Sequence, residues 1–74
     1  MNLPFSHIDA LNLLECYGFL TRIDLFVMSI DTSIIRDLVD LKLARSRFLG
    51  WEITLEGRRE LEEAGVYSFY DTRN

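Results

Sequence analysis

Apolar side chains recur every three or four positions in several stretches of the chain, which is the spacing of one face of an α-helix. The pattern predicts four helices, at about residues 7–17, 22–29, 33–43 and 55–64. The second predicted helix is brief, and four consecutive apolar residues occupy positions 25–28. The clearest apolar stripes are Ile8, Leu11 and Leu14 in the first helix and Ile34, Leu38 and Leu41 in the third.

Polar residues and glycines mark where these helices begin and end. Thr21 followed by Asp24 predicts a capping box at the start of the second helix, and Thr54 predicts an N-cap for the fourth. Ser6 followed by Asp9 predicts a similar start for the first helix. The other boundary residues are Asp31, Thr32 or Ser33 for the start of the third helix, and Gly18 and Gly65 for the ends of the first and fourth.

The period of the pattern changes between the third and fourth helices. Residues 45–54 carry aromatic and β-branched side chains around the Leu-Gly pair at 49–50, which predicts a short hairpin with its turn there. Residues 19–20 predict one further short strand. Gly57 lies early in the fourth helix, where it costs about 1 kcal/mol relative to alanine. We expect close approach of a neighbouring backbone or aromatic ring to explain this glycine.

The segment 53–61, Ile-Thr-Leu-Glu-Gly-Arg-Arg-Glu-Leu, resembles the L-T-x-x-G-R-x-x-L segment of MarR-type and related winged-helix regulators. Residues 38–44 resemble the end of their recognition helix, and residues 18–21 resemble their short strand and second-helix cap. The resemblance covers about residues 6–65 and implies a winged helix-turn-helix fold, mainly α with a small β-hairpin. The length predicts one domain over residues 1–74, and residues 66–74 form an aromatic tail. The helices through which MarR proteins dimerise have no counterpart here.

Winged helices of this kind bind duplex DNA through the third helix, which enters the major groove, and through the hairpin, called the wing. The resemblance therefore implies a small DNA-binding transcriptional regulator, acting as a dimer. The size and the lack of a sensor domain suggest a phage or another mobile element as its source. Carried over by position, the DNA-contacting residues are Arg22, Thr32, Ser33, Arg36, Lys42, Arg45, Ser46 and Arg47.

The charge of the chain limits how it can bind nucleic acid. Eight basic and 12 acidic residues give a net charge of −4 at pH 7, which disfavours indiscriminate binding to a polyanion. The basic residues concentrate in the middle, because residues 36–59 carry a balance of +2 between two segments of −3 each, 1–35 and 60–74. DNA contact led by the wing is consistent with this distribution, and so is no DNA contact.

An alternative function follows from the third and second helices. Asp37 and Asp40 share the polar face of the third helix with Arg36, and acidic groups are unfavourable near phosphates. The alternative is a protein-binding winged helix that inhibits or adapts a host protein, such as an anti-CRISPR or polymerase-binding protein of a phage. Four consecutive apolar residues cannot all face one core, and exposed apolar surface marks interfaces. The predicted partner or dimer interface comprises Phe26, Val27, Met28, Tyr67, Phe69 and Tyr70.

Catalytic and metal-binding patterns are missing from the sequence. It has no phosphate-binding loop, carboxylate pair or metal-ligand spacing, and we expect no enzyme activity, metal, cofactor or small-molecule substrate. We expect His7 as a surface or capping residue, Cys16 as a buried structural thiol, and Trp51 either in the core or in a wing-side contact. No apolar run approaches the roughly 18 residues of a membrane span, so we expect a cytoplasmic protein without membrane contact.

Overall fold

The structure, a computed structural model, describes residues 2–65. Within this range, four helices and three short strands build a mainly helical domain with a three-stranded antiparallel sheet in the order β1-β3-β2. This arrangement confirms the predicted helices and hairpin, and it is compatible with a winged helix. The elements are α1 (Phe5–Tyr17), β1 (Leu20–Thr21), α2 (Arg22–Val27), α3 (Thr32–Asp40), β2 (Ala44–Arg47), β3 (Gly50–Ile53) and α4 (Leu55–Glu63).

The start of α1 differs from the prediction. The helix begins at Phe5, and its N-cap is Pro4, which makes no side-chain capping hydrogen bond. The carbonyl of Pro4 accepts from the N–H groups of His7 and Ile8, at 3.0 and 3.1 Å. Proline already has the φ angle of a helix, here −58°, so the helix starts before Ser6 is reached. The predicted cap at Ser6 is therefore wrong.

The start of α2 matches the prediction, and its end does not. The Thr21 hydroxyl accepts from the Asp24 N–H at 3.1 Å, and the Asp24 carboxylate accepts from the Thr21 N–H at 2.9 Å. The predicted capping box is thus confirmed. The helix ends at Val27 rather than near residue 29, because Ser29 adopts a left-handed φ of 59°.

The third helix is shorter than predicted. Of the three possible caps, Asp31 is used, and its carboxylate accepts from the Ser33 N–H at 2.9 Å. The helix ends at Asp40, because Lys42 adopts a φ of 65° and the next N–H, that of Leu43, bonds back to the helix in a Schellman motif. Lys42 therefore lies in the turn before β2 and not on the helix.

The hairpin turn is displaced by one residue from its predicted position. Strands β2 and β3 pair antiparallel, and the turn residues are Phe48 and Leu49, of which Leu49 has a φ of 67°. Gly50 is the first residue of β3. A Cβ at Gly50 would overlap the Leu20 carbonyl oxygen and lie 2.6 Å from the Phe19 ring. The glycine is thus required by the neighbouring strand β1 and not by the turn.

The core lies between α1, α3 and the sheet, and residues 2–65 contribute eleven buried apolar side chains to it. Its members come from every helix and every strand, which is how a chain this short obtains one continuous core. The largest fully buried side chains are Leu11, Leu14, Leu20, Leu25, Ile35 and Leu38. The predicted aromatic tail, with Tyr67, Phe69 and Tyr70, lies outside the described residues.

The close approach predicted at Gly57 is confirmed. A Cβ at this position would overlap the carbonyl oxygen of Leu43 and lie 2.7 Å from Cγ1 of Ile53. Thr54 secures the same junction, because its hydroxyl accepts from the Gly57 N–H at 3.1 Å and donates to the Lys42 carbonyl at 2.8 Å. The start of α4 is therefore hydrogen-bonded to the turn between α3 and β2.

Candidate nucleic-acid interface

Side chains from α2, α3 and the hairpin meet around two adjoining hollows of about 180 and 460 Å³. Both hollows are lined by Arg22, at the start of α2, and by Ser46 and Trp51 of the hairpin. Helix α3 lines the smaller hollow, and the end of the hairpin lines the larger one. We call this region the basic surface and define it by Arg22, Thr32, Arg36, Ser46, Arg47 and Trp51.

The register of the hairpin explains why Ser46 and Trp51 belong to this surface. Ala44 pairs with Ile53, and two residues along each strand Ser46 pairs with Trp51. Side chains two residues apart share a face of a strand, so these four lie on the face that covers the core. Ala44 and Ile53 are buried in it, whereas Trp51 is half-buried and packs against its edge. Trp51 therefore packs against the core, as one of its two predicted roles requires, and also lines both hollows.

Helix α3 separates its basic residue from one of its acidic residues. Arg36 lies on the side that lines the smaller hollow, together with Thr32 and Val39. Asp37 lies about 100° further around the helix, and its Oδ2 is 3.0 Å from Nε2 of His7 on α1. Asp37 therefore pairs with α1 and does not line the hollow that Arg36 lines.

The other side of α3 borders a third hollow, of about 490 Å³, against the N-terminal residues. Asp37 and Asp40 both line it, together with His7. The His7 side chain is only 14% exposed, so it does not lie at the surface, which was one of its two predicted roles. The carboxylates of α3 thus line a different hollow from the arginines of the basic surface.

Two arginines of β2 share one carboxylate of β3. Arg45 Nε lies 2.9 Å and Arg47 Nη1 lies 3.1 Å from Glu52 Oε2. Both arginine side chains stay more than half exposed, and two positive charges against one negative charge leave this part of the hairpin basic. Exposed ion pairs contribute little stability. Each arginine also keeps further N–H donors for another acceptor.

Three predicted contact residues lie away from both hollows. Lys42 is exposed in the turn before β2, and Arg45 lines neither of the two hollows. The Ser33 N–H donates to Asp31, and this hydrogen bond, with a second from the Ser33 hydroxyl, lowers the pKa of the Asp31 carboxyl. The structure thus brings together five of the eight predicted residues, namely Arg22, Thr32, Arg36, Ser46 and Arg47.

Helix α2 presents an apolar face to solvent. Ile23, Phe26 and Val27 are 73%, 86% and 73% exposed, and we call them the α2 apolar face. Met28, which was predicted to join them, is half-buried and packs against the core. Ile23 was missed, although its spacing of three and four residues from Phe26 and Val27 is that of one helix face.

A second exposed apolar surface lies at the end of the hairpin, and the sequence analysis did not predict it either. Phe48 is 86% exposed and Leu49 is 72% exposed, and we call these two residues the hairpin tip. Glycine, asparagine and aspartate are the usual residues of tight hairpin turns. Two large apolar residues at a predicted turn were therefore the signal that could have identified this feature.

Other chemistry is limited within residues 2–65. No group of three or more His, Cys, Asp or Glu side chains there is arranged to hold a metal ion. Cys16 is half-buried rather than buried, and its Sγ lies 3.9 Å from Oδ1 of Asn12. None of the helices in this range is both long enough and apolar enough to cross a bilayer.

Comparison with known proteins identifies no relative. No protein-family model matches the sequence, and no curated protein and no solved structure matches it either. What the chain binds must therefore be inferred from its own side chains.

Proposed function

We propose that the chain is a winged helix-turn-helix domain that binds duplex DNA and regulates transcription. The observation that carries this proposal is the convergence of Arg22, Arg36 and Arg47, from three separate elements, onto the basic surface. Thr32 and Ser46 add hydroxyl groups to the same surface. Guanidinium and hydroxyl donors are the groups that proteins use to bind phosphate oxygens. The proposal assigns no catalytic role and no cofactor.

Each element has a defined part in the proposed complex. The N-terminal half of α3 enters the major groove, where Arg36 reaches base edges and can bond guanine through two acceptors. Arg22, at the start of α2, contacts a phosphate on one side of the groove. The hairpin acts as the wing, and Arg47 contacts the backbone beyond the groove. The pairing of Asp37 with His7 keeps that carboxylate away from the phosphates.

The distribution of charge supports a local rather than a general attraction to DNA. The chain as a whole carries −4, so its overall field opposes approach to a polyanion. Affinity then depends on the few cations of the basic surface. Each phosphate contact contributes about −0.9 to the slope of log affinity against log salt. Removing two phosphate contacts should therefore lower the steepness of that slope by about 2.

The test is fluorescence anisotropy with labelled random-sequence duplex DNA at low and at physiological salt. We expect wild-type binding with a steep salt dependence, and a slope shallower by about 2 in the double variant Arg22→Gln/Arg47→Gln. The matched control is Arg59→Gln, which removes a positive charge from an exposed position of α4. Absence of wild-type binding at low salt would refute the proposal, and so would an equal loss in the control.

The α2 apolar face favours a second candidate function, protein binding. Its three large apolar side chains are exposed by 73% or more on a helix of six residues. In this alternative, the face packs against a second copy or against a host protein that the domain inhibits or adapts, as a phage-encoded protein would. Sedimentation equilibrium of the wild type and of Phe26→Asp distinguishes the first case. A dimer that Phe26→Asp dissociates supports self-association, and a monomeric wild type excludes it.

A further inference from the structure

The hairpin tip is built in a way that folding alone does not explain. Phe48 and Leu49 are large apolar residues with 86% and 72% of their surface exposed. Leu49 also adopts a φ of 67°, a left-handed conformation that is costly for a residue with a branched side chain. Glycine or asparagine would close the same turn with less strain and less exposed apolar surface. The tip therefore has the character of a binding element.

The surroundings of the tip indicate what it binds. Leu49 lines the larger hollow together with Arg22 and Arg47, so the tip is continuous with the basic surface. Arg45 and Arg47 flank it on β2, and Glu52 neutralises one of their two charges. A partner of the tip must therefore offer anionic groups at its edge and an apolar interior within reach of a phenyl ring. A nucleic-acid duplex has this combination, with phosphates outside and stacked bases inside.

We propose that the hairpin tip is a wedge that enters the minor groove of the bound duplex, where Phe48 inserts between two base pairs and bends the DNA. This inference rests on the proposed function. Apolar side chains such as phenylalanine and leucine unstack base steps in this way and kink the duplex. Arg47, which lines the same hollow as Leu49, holds a phosphate beside the opened step. The hairpin supplies the rigid support, since β3 pairs with strands on both its sides.

Such a wedge selects sequence without hydrogen bonds to bases. Pyrimidine–purine steps, TA above all, unstack more easily than the steps of a stiff A-tract. We therefore expect the protein to prefer a duplex with TA steps over an A-tract duplex of the same length and composition. The preference is expected to depend on Phe48 and not on other exposed aromatic residues.

The experiment measures bending by energy transfer between dyes at the two ends of a duplex of about 25 base pairs. One duplex carries TA steps with 2-aminopurine beside them, and the other is an A-tract. The variants are Phe48→Ala and, as the matched control, Phe5→Ala, which removes an aromatic ring that is 83% exposed on α1. Thermal unfolding of each variant verifies that the fold is kept.

We expect wild type and Phe5→Ala to bend the TA duplex and to raise 2-aminopurine fluorescence. Phe48→Ala should still bind, with the bend lost and the affinity for the TA duplex lower by about tenfold. If Phe48→Ala bends DNA as the wild type does, the wedge is refuted and the proposed DNA binding stands. If the wild type binds neither duplex, both proposals are refuted.

Discussion

Replacing Gly57 by alanine tests how α4 is joined to the rest of the domain. The added Cβ would overlap the Leu43 carbonyl oxygen and lie 2.7 Å from Ile53 Cγ1. The oxygen cannot move aside easily, because it accepts the Thr54 N–H at 3.1 Å. It is also main chain, so relief requires α4 to shift away from the turn before β2. We therefore expect Gly57→Ala to destabilise the fold, although alanine is the better helix former.

The size of the effect is the difference of two opposing terms. Alanine in place of glycine favours a helix by about 1 kcal/mol. Overpacking costs about 1–3 kcal/mol and occasionally more, and a rigid backbone neighbour places Gly57 at the upper end of that range. The net loss is then about 2 kcal/mol, a large share of the roughly 3–5 kcal/mol that such a small core supplies. Each kcal/mol lowers the Tm of a domain this size by about 4–8 °C, so Tm should fall by about 10 °C.

Urea and thermal unfolding, followed by far-ultraviolet circular dichroism, measure this loss. Arg59 supplies the control, because it is exposed on the same helix. Arg59→Ala should be more stable than Arg59→Gly by about 1 kcal/mol, and this difference measures the helix preference of alanine over glycine in α4. At position 57 the glycine form should instead be more stable than the alanine form. If alanine stabilises position 57 as it does position 59, the packing of Gly57 on Leu43 is refuted.

Two further predictions concern caps. Thr54→Val removes the hydroxyl that bonds both the Gly57 N–H and the Lys42 carbonyl, so unfolding free energy should fall by about 1–2 kcal/mol in urea titrations; Thr54→Ser should retain most of it, and an equal loss in both would contradict the assignment. The lowered pKa of Asp31, caused first by the Ser33 N–H and then by its hydroxyl, means that its ionised form stabilises the fold above the ordinary carboxyl range. That contribution disappears as pH falls through the lowered pKa. Asp31→Asn keeps a capping oxygen but cannot titrate, so its Tm should fall less than the wild-type Tm as the pH is lowered. If both proteins lose Tm equally in acid, this role of the Asp31 carboxylate is contradicted.

Local signals predicted the helix starts that depend on neighbours in sequence. The capping box of Thr21 and Asp24 and the cap at Thr54 each join groups three residues apart. Such a bond forms wherever the chain turns into a helix, so residue type and spacing suffice to predict it. The cap predicted at Ser6 is wrong for an equally local reason, because Pro4 starts the helix two residues earlier.

The turn of the hairpin depended on a partner distant in sequence. Gly50 looked like a turn residue, but strand β1 approaches it so closely that only glycine fits there. The true turn then falls on Phe48 and Leu49, and these apolar side chains become exposed. The pairing of two strands separated by almost thirty residues is not encoded in the hairpin segment itself. The sequence therefore predicted a hairpin, but it did not predict the exposed apolar side chains at the hairpin tip.

The candidate site likewise has features that the local sequence predicts and features that depend on contacts between distant residues. The sequence by itself determined the apolar periods, the capped helix starts and the supply of arginines in the middle of the chain, because these depend on residues within a turn or two of one another. Only the tertiary structure decided that Arg22, Arg36 and Arg47 line two adjoining hollows, and that Asp37 pairs with His7 instead. The packing of α1 on α3 and the pairing of β3 with two strands place these groups. Such contacts join residues far apart in sequence, and burial of a shared core selects them.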